Sequence, residues 1–200
     1  MTGVWIAFSA IVLLLLAMFA GGFVALAMGR LHLDLGWGRS KHPLGPLRVA
    51  IKAPRELVYE ILSAPYLGRA RSESIDVLAR SDALVVAAHL TKVHFYEART
   101  VEAIELEPPS TMRFRHLTGP VPEAAEAFRL EATGEVTVLH YDGELGIDLF
   151  GLGRIAARHW VLPQWNRAVA THLTEVKQIA ERRAGRARIR AERAQADDAR

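Results

Sequence analysis

The sequence predicts an α+β protein: a lone strand, one or two helices, six strands and a long C-terminal helix, behind one N-terminal transmembrane helix. Three observations carry this. Residues 4–28 are almost wholly apolar, and residues 1–29 hold no charged side chain. Between residues 74 and 145 the apolar pattern has the period of strands, broken by Gly, Pro and Asp clusters. Beyond Gly153 the apolar residues recur at helical spacing.

The apolar run comes first. A bilayer core needs about 20 apolar helical residues, and a helix satisfies its own backbone there. The run is too long for a cleaved leader, whose apolar stretch is about 7–15 residues after a basic start. Here Met-Thr-Gly precedes it with no side-chain charge, although Ala25-Leu26-Ala27 loosely mimics a cleavage site. Arg30, Arg39, Lys41 and Arg48 follow the run, so the basic flank predicts an outside N-terminus and a cytoplasmic soluble part. The absence of cysteine is compatible with that reducing compartment.

Residues 29–46, rich in Gly, Pro and His, read as a juxtamembrane linker, with Trp37 at headgroup level. About 150 residues then remain, the size of one domain. Residues 47–51 read as a strand, and Pro54 suits the first position of a helix with Leu57, Val58, Ile61 and Leu62 on one face. Ala64-Pro65 ends that helix. Residues 74–80 and 83–91 form a hairpin around Ser81-Asp82, and residues 93–106 a long third segment closed by Glu107-Pro108-Pro109. In residues 111–117, Met112, Phe114 and His116 share one face while Arg113 and Arg115 take the other. Residues 124–132 and 135–145 pair around Thr133-Gly134, with Phe128 and Leu130 on one face and Thr137, Leu139 and Tyr141 on another. From Gly153 to about Arg190 the pattern is helical. Ile155, Leu162, Val169 and Val176 form its buried stripe, with His159, Trp165 or Asn166, His172 or Leu173, and Ile179 at the half-steps. Pro163 must kink or restart this helix near Leu162.

The element order resembles the helix-grip fold of the START/polyketide-cyclase superfamily, often called SRPBCC. Ile51-Lys-Ala-Pro-Arg-Glu-Leu-Val-Tyr is similar to its opening strand and helix, and residues 101–114, with Pro108-Pro109, to its strand–corner–strand. Residues 133–145 are similar to its last hairpin, and Leu173, Val176, Lys177 and Ala180 to its closing helix. The resemblance spans residues 47–183. It implies a curved antiparallel sheet of about seven strands around a long helix, enclosing an apolar cavity. It also implies binding of lipids, sterols, quinones, polyketides or other hydrophobic molecules, with catalysis in a minority of members.

On that fold Met112, Phe114, His116, Phe128, Leu130, Leu139 and Tyr141 would face Trp165, Val169, His172 and Leu173 of the helix. Apolar lining gives affinity for a hydrophobic ligand, and His116, Tyr141 and His172 are its polar members. Two other classes stay open: a cyclase or dehydratase using those three groups as acid and base, and a protein-interaction module. No metal is expected, because His89 and His94 project to opposite faces of an extended segment and His159 and His172 lie far beyond one helical turn. There is no phosphate loop, no cysteine nucleophile and no serine elbow, so no cofactor and no catalytic constellation is expected. The net charge is only +3, and seven arginines against four acids lie in residues 181–200. That tail, residues 184–200 beyond the domain, reads as a solvated helical or disordered extension able to meet anionic lipid. Nucleic acid is not an expected partner, since no aromatic residue interleaves with those arginines.

Overall fold

A computed structural model of the chain describes residues 2–28, 31–93 and 96–198, so the expectations resting on Arg30 and His94 lie outside the described residues. Helix α1 covers Thr2–Ala27. Its apolar portion, Val4–Leu26, is 23 residues long and none of it is buried against the rest of the protein. At about 1.5 Å per residue that portion reaches roughly 35 Å, enough to cross a hydrocarbon core of about 30 Å.

Among the described residues seven strands form one antiparallel sheet. They are β1 Ser40–Ile51, β2 Ile75–Arg80, β3 Leu84–Val93, β4 Tyr96–Glu107, β5 Thr111–Thr118, β6 Glu123–Thr133 and β7 Val136–Ile147, in the spatial order β1-β7-β6-β5-β4-β3-β2. Helix α2, Arg55–Ser63, follows β1, and α3, Phe150–Ala156, follows β7. A π-helical turn, Ala157–Val161, leads into α4, Leu162–Asp198. Sequential strands pair because their connections are short: Ser81 N donates to Leu84 O at 2.8 Å across the first hairpin. Gly134 turns the last one with φ +60°, a conformation that costs glycine little.

The first strand starts earlier than its composition suggests. It was expected from Leu47, because Pro43, Gly45 and Pro46 read as loop residues. It begins at Ser40 and pairs with β7 from Ser40↔Ile147 to Ile51↔Thr137, with a bulge between Leu44 and Leu47. An edge strand tolerates proline where no ladder donor is needed, and a bulge accommodates the extra residue. Gly45 has φ +74°, and a Cβ there would lie 2.9 Å from Tyr141 O. Its N–H donates to Asn166 Oδ1 at 3.3 Å, tying the bulge to α4. At the other boundary Val93 closes β3 and does not open the third segment.

The core lies between one face of the sheet and α2 and α4. Ile51, Ile104, Leu139, Tyr141 and Leu145 from the strands meet Val58 and Leu62 of α2 and Leu173, Val176 and Ala180 of α4. Each large apolar side chain removed from water contributes about 1.5–3 kcal/mol. The α4 residues follow helical spacing, as the stripe requires. Ile155 and His159, however, are exposed and do not extend the stripe. Pro163 has no N–H to give, and the chain answers with a π turn before restarting at Leu162. The extra residue of that turn rotates α3 out of register with α4.

At the end of the sheet where β1 begins and β7 ends, Asp148 clasps the segment that leads in from α1. Its Oδ2 accepts from Leu35 N at 2.8 Å and Gly36 N at 3.0 Å, and its Oδ1 from Arg39 Nε at 2.8 Å. The Arg39 guanidinium holds this carboxyl below its ordinary range. Asp148→Ala is expected to make the Leu35 and Gly36 amides exchange about tenfold faster or more, since each loses a bond to a charged carboxylate worth about 1.5 kcal/mol or more. Hydrogen exchange read by mass spectrometry checks this; unchanged protection would show that other contacts hold the segment.

Candidate functional site: a polar cluster inside the sheet

Strand alternation sends Thr100 and Glu102 of β4, Phe114 and His116 of β5, Glu126 and Phe128 of β6 and Tyr141 of β7 to the core side. Their aromatic rings make a continuous wall. Centroids are 5.8 Å apart for Tyr66–Phe114, 5.4 Å for Phe114–Phe128 and 5.2 Å for Phe128–Tyr141. Edge-to-face and tilted contacts of this kind add to the burial energy.

Two carboxyls sit among these rings. Glu126 Oε2 accepts from Tyr141 OH and, at 3.0 Å, from Trp165 Nε1 of α4. Glu102 Oε1 accepts from Thr100 Oγ1 at 3.1 Å, and its Oε2 lies 3.2 Å from His89 Nδ1. His89 Nε2 in turn bonds Tyr66 OH at 3.1 Å. Burial pushes Glu126 up to about 7, helped by the charge of Glu102 and opposed by its two donors. Burial likewise pushes Glu102 up to about 7, and pushes His89 down to about 4. Low dielectric disfavours charge on each group. Between about pH 4 and 7 the pair Glu102 and His89 is therefore an uncharged acid beside an uncharged imidazole. Carboxyls in that state can donate a hydrogen bond as well as accept one.

His116 lies nearer the end of the sheet where the α1 segment enters. Both its ring nitrogens are buried, and burial together with His32 pushes it down to about 4 against a weaker opposing contact with the Val121 backbone. The two imidazole centroids are 6.2 Å apart, and His32 itself reaches Gly119 O at 3.4 Å.

Of the eleven residues proposed from the sequence, Met112, Phe114, Phe128, Leu130, Leu139, Tyr141 and Leu173 are buried, His116, Trp165 and Val169 are half-buried, and His172 is exposed. Phe114, Phe128, Tyr141 and Trp165 come together around Glu126. Met112, Leu139 and Val169 pack in or against the core cluster. Among the described residues no hydrogen bond joins His116, Tyr141 and His172 to one another, and the hydroxyl of Tyr141 is given to Glu126. Sequence reasoning missed Glu126, Glu102, His89 and Tyr66. The signal was present: Glu126 stands two residues before Phe128, and Glu102 two before Ile104, both inward positions.

No family model matches the sequence, and no curated protein matches it. Solved structures do. An aromatase/cyclase, ZhuI, from Streptomyces sp. R1128 is 20% identical with a TM-score of 0.60, over 72% of this chain and 95% of that one. The protein TTHA0849 from Thermus thermophilus is 19% identical with a TM-score of 0.55, over 70% and 95%. StfQ, a di-domain aromatase/cyclase from the steffimycin biosynthetic pathway, is 15% identical with a TM-score of 0.55, over 74% of this chain and 52% of that one. At such identities the likeness is one of architecture, and it agrees with the strand order and closing helix described above: the chain has a helix-grip fold, with an apolar helix added at its N-terminus.

Proposed function

We propose that this protein binds a hydrophobic small molecule or lipid inside the helix-grip domain, beside a membrane to which α1 anchors it. The observation that carries the reading is the Glu126–Tyr141–Trp165 cluster in an otherwise apolar interior. Packing alone gains nothing from a carboxyl there, because burial disfavours its charge and an apolar side chain would fill the space at no such cost. A ligand with one carbonyl or hydroxyl gives the cluster a use: rings bury the apolar body, and a neutral carboxyl fixes the polar group. Glu126 keeps part of its surface, and His172 more, yet surrounding protein still displaces enough water to shift both.

The anchor comprises residues 4–28, the linker residues 29–46 and the ligand domain residues 47–183, whose first strand reaches back to Ser40. Residues 184–200 form the Arg-rich tail, of which 184–198 continue α4. The N-terminus lies outside and the domain on the cytoplasmic side, where its arginines can meet anionic lipid. The lining set is Met112, Phe114, His116, Phe128, Leu139, Tyr141, Trp165, Val169 and His172, with Glu126 and Glu102 added.

The full chain, delipidated in detergent, is expected to bind at least one class in a panel of fluorescent fatty acids, sterols and quinones in a saturable, competable manner. Failure across the panel, with nothing co-purifying by mass spectrometry, would overturn the reading. A second reading, a cyclase or dehydratase, draws on the aromatase/cyclase neighbours and on the acid–base character of Glu126 and Tyr141. It predicts turnover of a polyketide-like substrate that Glu126→Gln abolishes while binding persists.

A further inference from the structure

Helix α3 and the π turn after it carry large apolar side chains that the domain leaves uncovered. Leu152 is 76% exposed, Trp160 71% and Ile155 61%, with Phe150 and Leu149 beside them. Trp37, from the segment leading in from α1, is also exposed and stands edge-on to Phe150 with centroids 5.3 Å apart. Apolar surface gathered this way on one element marks an interaction site more often than chance exposure.

What covers it follows from the tether. Leu149 N donates to Trp37 O at 2.9 Å and Phe150 N to Gly38 O at 3.0 Å, so the patch and the incoming segment form one body. Asp148 fixes that segment at Leu35 and Gly36. At its other end Leu31 N still donates to Ala25 O, at the last turns of α1. Leu35 follows Leu31 closely in the chain, within a reach of about 14 Å at most. A chain with α1 across a bilayer therefore holds this patch close to the lipid headgroups. The charges suit that surface. Residues 149–174 contain no acidic residue, while Arg154, Arg158 and Arg167 are exposed among them. Tryptophan beside exposed arginine is the composition of a membrane interface.

We propose that α3, the π turn and Trp37 form a docking face that lies in the headgroup region of an anionic bilayer, the one α1 spans. The proposal rests on the reading of α1 as a span. It sets the end of the sheet where β1 begins and β7 ends against the lipid, and the hairpin around Ser81 away from it. That is an orientation, and a fluorophore can report it.

The sequence has no cysteine, so one introduced thiol can be labelled in the full chain. Single variants Leu152→Cys, Trp160→Cys, Ser81→Cys and Leu14→Cys would carry an environment-sensitive fluorophore in phosphatidylcholine vesicles containing phosphatidylglycerol. At Leu152 and Trp160 we expect several-fold quenching by nitroxide lipids and little by aqueous iodide, with the reverse at Ser81. Labels at 152 and 160 that behave like the one at 81 would overturn the docking face. So would labels shielded from iodide but untouched by nitroxide lipid, since a second copy of the chain would then be the cover. The label at Leu14 decides the span separately: if nitroxide lipids leave it bright, the anchor reading fails, whatever positions 152 and 160 show.

Discussion

Glu126→Gln is expected to stabilise the protein more at pH 8 than at pH 5. In the folded chain Glu126 is pushed up to about 7 from 4.5. Between those values the unfolded chain gives up a proton that the folded chain still holds, so this group lowers stability as pH rises. Below pH 4.5 both states are protonated and there is no effect; above 7 the penalty is complete. The full difference is about 3 kcal/mol, since a gap of one pH unit between the two states is worth roughly 1.4 kcal/mol. Glutamine never ionises, and its carbonyl still accepts from Tyr141 OH and Trp165 Nε1. The margin between variant and parent should therefore grow by about 3 kcal/mol from pH 4.5 to 7 and then stay level.

The margin is the quantity to measure, because the parent's own profile mixes opposite signs. His89 and His116, each pushed down to about 4, make stability fall as pH drops below their ordinary 6.5. That masks the carboxyls in a single melting curve and cancels in the difference. Urea melts of both chains across this range settle it. A margin that is flat, or that shrinks as pH rises, would mean Glu126 is ionised and held so by its two donors. The same titration reaches ligand binding. A protonated Glu126 has an O–H to give to a carbonyl, so the parent should lose affinity above about pH 7, and Glu126→Gln, with an amide N–H always present, should not.

These residues also show where the sequence stops being legible. Alternation in β5 places Met112, Phe114 and His116 inward and Arg113 and Arg115 outward without help from the structure. The same rule fails to flag Glu102 and Glu126, because a charged residue in a strand is ordinarily assigned to solvent. Only their partners make the inward position tolerable: Tyr141 and Trp165 from other elements for Glu126, and His89 of β3 with Thr100 of its own strand for Glu102. Most of those partners lie far apart in the sequence. A different failure hides the start of β1. Pro43, Gly45 and Pro46 are local breakers, and only the edge position and the bulge against Tyr141 make them strand residues. For Ile155 the heptad spacing is real, but it is counted across a π turn that shifts the phase. Local pattern identifies elements; it does not report what a distant element supplies.

The double substitution Leu14→Arg and Leu16→Arg is expected to release the chain from membranes. Both positions lie near the middle of Val4–Leu26, whose mean hydropathy is 2.5. An arginine at the centre of a spanning helix costs about 3 kcal/mol on the insertion scale, and each lost leucine removes about 0.5 kcal/mol more, for a total of about 7 kcal/mol. Residues two apart point to different sides of a helix, so no single neighbour can shelter both charges. From mid-span neither side chain reaches water easily by snorkelling. Alkaline carbonate extraction should leave the parent in the pellet and the variant in the supernatant. Intact mass keeps the competing explanation separate. A cleaved leader would give a parent chain shortened near Ala25 and already soluble, whereas an anchor gives a pelleted chain that retains α1. If the variant stays in the pellet at full mass, the span is not what holds the protein there. The uncovered face of α3 and the π turn, together with the Arg-rich end of α4, would then have to account for the membrane-bound fraction.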